Sequence, residues 1–268
     1  MQTQELKRKG FAIGTLFVLF GAGLAAVSTH AEKTRGRWWY VGGSGPGNYT
    51  RIQEAVNAST DGDTVFVYNG TYYEHVTMNK MIHLLGQHIQ GTVIDGGGTG
   101  IVVWIGANAT ISGFTIQHSG NQFEDAGILS YNRPNVATNF HAYGNLIRGN
   151  SIGVYLFDSD DDTITGNIIR DNEVGISLYY VNRASITGNN FIDNTNHSTF
   201  WYFFGLQRRT GNVWDGNYWD TWRSMLPRPI RGTKEWILIV LRPGTIYGIT
   251  IPWFNFDRHP AKTPFDIG

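Results

Sequence analysis

From residue 144 onward one pattern returns at a nearly fixed interval, and no other feature of the 268-residue chain restricts its fold as much. Gly-Asn pairs stand at Gly144-Asn145, Gly166-Asn167, Gly188-Asn189 and Gly211-Asn212, spaced 22, 22 and 23 residues apart. A second Asn follows each pair, at Asn150, Asn172, Asn194 and Asn217. Two copies, GVYLFDSDDDTITGNIIRDN over 153–172 and GISLYYVNRASITGNNFIDN over 175–194, align without a gap. Earlier copies open at Gly100 and Gly127, the second with extra residues around 132–142 that belong in a surface turn.

Within each copy the apolar residues alternate: Val154 and Leu156, Ile164, Ile168, and then Ile176 and Leu178, Ile186, Phe191. Period two over three to five residues means short strands, and the intervening Gly, Asn and Asp mean turns. One copy cannot bury its apolar face alone. Three short strands and three turns close one rung of a coil, and stacked rungs pair each strand in parallel with the next around an apolar axis. The expected fold is therefore all-β, a single-stranded right-handed parallel β-helix of about 22 residues per rung. The composition agrees, with 34 Gly and only 16% charged residues. The periodic Asn residues suit left-handed turn positions and rung-to-rung hydrogen bonds, which is a structural role.

The open ends of such a coil need covering. Thr50 with Gln53 has capping-box spacing, and Ile52, Ala55 and Val56 share a helical face, so residues 32–63 read as a lead-in and capping helix. A strand from Thr64 and an Asn69-Gly70 turn begin the coil over 64–217. Residues 218–268 leave the period, are rich in Pro and aromatics, and read as a C-terminal cap. Lys7, Arg8 and Lys9 precede an uncharged run over 11–27 and a small-residue stretch ending at Ala31, the pattern of an export signal over 1–31. At 17 residues the run is at the short limit for a membrane anchor, so contact with a membrane is expected only if this segment stays uncleaved. The mature chain is expected outside the cell or on its surface, where the sequons at Asn48, Asn57, Asn69, Asn108 and Asn196 are candidate glycosylation sites.

The stretch YVGGSGPGNYTRIQEAVNASTDGDTVFVYNGTYYEHV, the ITGN rungs, GNVWDGNYWDTW and the closing IPWFNFDRHPAKTPFD together resemble the NosD-like parallel β-helix repeat proteins, exported archaeal ones in particular. The resemblance implies a β-helix of the carbohydrate-binding and sugar-hydrolase type and a location outside the cytoplasm. It also brings a copper-maturation accessory role into consideration. Copper handling would need Cys, Met or His in compact spacings. The chain has no Cys and 4 Met, and the nearest approach to a His cluster is His75, His83 and His88, of which alternation turns His75 and His83 outward.

Zero net charge with no basic block past the first ten residues excludes a nucleic-acid partner. A lyase or glycoside hydrolase would place carboxylates on the outer face of the coil. The dense acidic candidates are Asp158, Asp160, Asp161 and Asp162, which read as turn residues with a weak calcium site as the alternative, the one cofactor considered; Asp95 also reads as a turn. Arg148 and Arg170 fall one rung apart and could approach acidic sugars. Counting four residues past each rung opening gives Trp104, Tyr131, Phe157, Tyr179 and Trp201, all aromatic and all on the outward parity. With rungs ~4.8 Å apart they would form a stripe roughly 19 Å long, suited to a sugar chain or to stacking between strands. The expected function is a non-catalytic surface β-helix that binds polysaccharide or envelope glycan, with a polysaccharide lyase or glycoside hydrolase as the alternative.

Overall fold

The computed structural model describes residues 36–131, 139–204, 211–224, 226–239 and 246–268, so the export signal expected over 1–31 lies outside the described residues. The chain winds as a right-handed parallel β-helix, each coil laying one short strand on each of three faces. We call the faces sheets A, B and C in the order the chain visits them. Sheet A stacks Trp38–Val41, Thr64–Val67, His83–Gly86, Thr110–Ser112, His141–Tyr143, Thr163–Thr165, Ser185–Thr187 and Val213–Asp215. Sheet B runs from Gly70–Tyr73 through Thr115–Gln117 and Leu146–Arg148 to Tyr218–Trp219. Sheet C stacks Val76–Met78, Val103–Ile105, Ala126–Tyr131, Ile152–Phe157, Val174–Tyr179 and Asn196–Phe204.

The pleat sends alternate residues inward, so each sheet contributes a column of like side chains to the axis. On sheet B the column is Ile94, Ile116, Ile147, Ile169, Phe191 and Trp219. On sheet C it is Val103, Ile128, Val154 and Ile176, with Ile105, Ser130, Leu156, Leu178 and Phe200 beside it. All are buried, the one polar member Ser130 included, whose hydroxyl donates to Asp162. Rung-opening glycines let successive coils approach closely. A Cβ on Gly153 would stand 2.5 Å from the Gly175 carbonyl oxygen, and one on Gly175 would stand 2.5 Å from that of His197.

The corners of the coil are held by two ladders of buried asparagines. Asn145, Asn167, Asn189 and Asn217 form one, each Nδ2 donating to the next Oδ1 at 3.0–3.1 Å, and each backbone N–H donating to the same oxygen. Asn150, Asn172 and Asn194 form the other and end on the Nδ1 of buried His197. The first ladder shows that Asn217, 28 residues past Asn189, is the true fourth member. Asn212, expected in that place from the Gly-Asn spacing, instead accepts from the Ala184 backbone and donates to Val181. Extra residues in this coil displaced the motif while leaving a Gly-Asn decoy at the old spacing.

At the front, helix α1 (Ile52–Ala58) buries Ile52, Ala55 and Val56 over the coil end, as its pattern predicts. The expected Thr50 and Gln53 capping box is absent. Glu74 accepts from the Ile52 and Gln53 backbone N–H groups at 2.9 and 3.1 Å, so the helix is capped by a carboxylate from the first coil. The Asn69-Gly70 turn is a corner between sheets A and B, since Thr64–Val67 and Gly70–Tyr73 pair not with each other but with His83–Gly86 and Thr92–Asp95 of the next coil. At the rear, Arg228–Ile239 and Ile246–Asp257 form an antiparallel hairpin that pairs with the last strands of sheets C and A, respectively. Buried Asp257 terminates the first ladder, accepting from Asn217, Gly216 and the Trp219 indole. Arg228 lies over the Trp219 ring at 3.8 Å, and burial draws its pKa down to about 10 although Asp257 and Asp220 oppose the shift.

Candidate functional site

The outer face of sheet C carries the aromatic residues expected there, in a register one member different. Tyr131, Phe157, Tyr179 and Trp201 are consecutive cross-strand partners. Their rings run 4.9 Å edge-on from Tyr131 to Phe157, 5.1 Å and nearly parallel from Phe157 to Tyr179, and 6.1 Å from Tyr179 to Trp201. Trp104 does not continue this column. It pairs with Leu129, which pairs with Tyr155, so it lies on the same outer face one column over. Gly100, taken from sequence as the rung opening, is a corner residue at φ +54, and the strand begins at Val103.

This face is only half open. Ala126, Leu129 and Tyr155 form a small buried cluster outside the main core, and Trp104, Tyr131, Phe157 and Tyr179 pack against it. Part of the stripe therefore stabilises the sheet in its own right. Beyond it the surface dips into a groove of about 640 Å³ whose floor is Tyr155, Ser177 and Thr199 with Tyr179 and Trp201 beside them. Asn121, Gln122, Phe123 and Glu124 make one wall and Ser151 and Glu173 line it further along. The Trp201 indole donates to Glu235 at 3.3 Å, which fixes the ring at one end. Burial raises the pKa of the Tyr155 hydroxyl, with Glu124 and Tyr179 adding to the rise, so this groove floor stays neutral and able to donate a hydrogen bond.

The wall was not expected from the sequence. Ile116 and Ile128 are twelve residues apart where their counterparts Ile147 and Val154 are seven apart. The excess forms a loop over 119–125, with Asp125 accepting from the Gln122 N–H and Glu124 held at φ +75. The extra residues noticed around 132–142 supply the rest of this long coil, and 132–138 lie outside the described residues.

The four aspartates do not converge. Asp161, at φ +62, holds the Arg183 guanidinium through both carboxylate oxygens at 2.6 Å, and that pairing lowers its pKa first and foremost. Asp160 also lies 3.7 Å from Arg183. Asp162 is fully buried and accepts from the Phe140 N–H, while Asp158 stands at the surface at φ +45, where the desolvation of its partly covered carboxylate and the charge of Asp160 raise its pKa. Among the described residues no three His, Cys, Asp or Glu side chains are grouped to hold a metal ion. His75 and His83 face outward as expected, and the His75 Nδ1 sits 2.7 Å from the Ile101 carbonyl.

Sheet B bears a separate polar row. Asp95, Gln117, Arg148 and Arg170 are successive partners. Asp95 is a buried strand-end carboxylate, not a turn residue. It accepts from the Gln117 amide at 2.7 Å and lies 2.9 Å from the His118 Nδ1. Burial pushes its pKa up, but these bonds and one from Gly97 outweigh burial and hold it low. Arg148 donates to Gln117, and Arg170 to Asp171. Of the sequons, Asn57, Asn69, Asn108 and Asn196 are exposed, whereas the Asn48 Nδ2 is engaged with the Gly42 carbonyl.

A family model described as "Periplasmic copper-binding protein (NosD)" matches residues 56–217. No curated protein sequence matches the chain. Among solved structures, the carrot pectin methylesterase is similar over 70% of this chain and 79% of its own, at 13% identity and a TM-score of 0.36. Pectin methylesterase PemA from Erwinia chrysanthemi covers 67% of this chain, which spans 59% of it, at 14% identity and a TM-score of 0.31. A pectin methylesterase in complex with hexasaccharide VII gives the same values. Likenesses this distant assign no reaction.

Proposed function

The chain belongs to the NosD family, and from that premise we propose that it is a non-catalytic glycan-binding β-helix acting outside the cytoplasm. The observation that carries the reading is the sheet C groove, where half-buried Tyr179 and Trp201 offer ring surface and the 119–125 loop offers amides beside it. Aromatic faces with a few placed polar groups are what a sugar ring needs, since one side is apolar C–H surface and the rim is hydroxyl. The family's description supports the location, and the export pattern over 1–31 agrees with it. A glycan array and pull-downs on cell-envelope polymers test binding; an empty result on both would leave only a scaffold. The enzymatic alternative is tested by incubating the protein with a polysaccharide panel, with and without calcium. Release of reducing ends or unsaturated products would replace the non-catalytic reading.

A further inference from the structure

The charges around the groove narrow the class of sugar. Its charged lining residues, among those described, are Glu124 and Glu173; no Lys, Arg or His lines it. Neither glutamate has an ion-pair partner among the described residues, and the one side-chain bond to Glu173 is a long 3.4 Å approach from the Ser151 hydroxyl. Exposed Arg231, two residues before the Thr233 that pairs with Trp201, lines a separate hollow with Asn196 and Ser198. Arg148 and Arg170 stand on sheet B, and Arg183 is held by Asp160 and Asp161.

Resting on the glycan reading above, we infer that the groove takes a chain of amino sugars carrying free ammonium groups, and that it discriminates against uronates. Two unpaired carboxylates beside an aromatic floor match a ligand with C–H faces and positive charges. The same pair would repel the carboxylate of a polyuronate, and among the described residues no guanidinium lines the groove to offset that. Like-charge juxtaposition is also the more effective half of specificity, because it rejects wrong partners more strongly than a partly solvated ion pair attracts the right one. Glu124 is well placed for this, since its charge is felt by the Tyr155 hydroxyl at the groove floor.

The test uses the intact chain and three oligosaccharides of equal length: a glucosamine pentamer, its fully N-acetylated counterpart and a galacturonate pentamer. Isothermal titration at a pH where the amines are protonated should show the glucosamine pentamer binding tightest and the galacturonate pentamer not detectably. Glu124→Gln and Glu173→Gln should each weaken the glucosamine pentamer roughly two- to fivefold, as expected for partly exposed ion pairs, and weaken the N-acetylated pentamer by less. Equal or tighter binding of the N-acetylated or galacturonate pentamer would overturn the inference while leaving glycan binding standing. No binding of any of the three, together with an empty glycan array, would overturn both. A glucosamine preference that survives the double variant would place the recognition outside this groove and overturn the assignment.

Discussion

Replacing Asn167 by Ala removes one step of the first ladder, and the structure allows its cost to be worked out. Asn167 is fully buried. Its Oδ1 accepts from the Asn145 backbone N–H and Nδ2, both at 3.1 Å, and its Nδ2 donates to Ala142, Thr165 and the Asn189 Oδ1. After truncation the Asn145 Nδ2 keeps the carbonyls of Ile111 and Tyr143, but the Asn145 N–H is stranded without an acceptor. A stranded buried donor costs about 1–3 kcal/mol, and each other lost bond about 0.5–1.5 kcal/mol. Allowing for the shared hydrogens, the sum is about 3–5 kcal/mol, or roughly 6–20 °C in melting temperature for a chain of this size. Chemical and thermal denaturation of Asn167→Ala measure it, and a loss below about 1 kcal/mol would refute the view that the ladder holds the corners. Asn167→Asp adds a sign test. Burial would raise the new carboxyl's pKa in the folded state above its unfolded value. The variant should therefore be least destabilised in acid, below the unfolded value of ~3.9, and lose stability as pH rises through the raised one.

Three further outcomes follow from the two ends of the coil. Asp257→Ala should cost about 3 kcal/mol or more by denaturant titration, because it strands the Asn217 and Trp219 donors and leaves Arg228 buried beside no carboxylate of the hairpin. Glu74→Ala should cost about 1–2 kcal/mol, and hydrogen exchange should quicken in residues 52–58 ahead of the rest. At Asp63 burial raises the pKa, but bonds from Trp39, Thr60 and Arg37 outweigh it and bring the value from 3.8 down to about 2. The stability this group contributes is complete above pH ~4 and is lost as pH falls towards 2, so Asp63→Asn should flatten the stability profile across that window.

How far the sequence carried depends on whether a residue's partner lies one period away. Val154 and Ile176 stack as their spacing required, and Asn145 and Asn167 each pair with the residue 22 positions on, so repetition alone revealed them. Coils of other lengths hid their own register. The step from Asn189 to Asn217 is 28 residues and that from Phe114 to Asn145 is 31, and spacing cannot say where the surplus loops out. For that reason spacing alone puts Gly211-Asn212 in the ladder and Trp104 in the stripe, and leaves the loop over 119–125 that walls the groove unmarked. The Glu74 cap on α1 was illegible for another reason: it joins the helix to a corner of the first coil, between Gly70–Tyr73 and Val76–Met78, where no local motif records it. The stripe residues Tyr131, Phe157, Tyr179 and Trp201 were legible, while the division between those that line the groove and those that pack on the sheet needed the fold.

The central claim is that the sheet C groove binds glycan, and the most direct test is to set affinity against stability in two variants. Tyr179→Ser with Trp201→Ser strips the two aromatic rings beside the groove floor, whereas Tyr131→Ser alters the same aromatic column outside the groove. Binding of whichever glycan the array selects should vanish in the first variant and persist in the second, while each lost aromatic contact lowers stability by only about 0.5–1 kcal/mol. Unchanged affinity in the Tyr179 and Trp201 double variant, with the fold intact, would contradict the account.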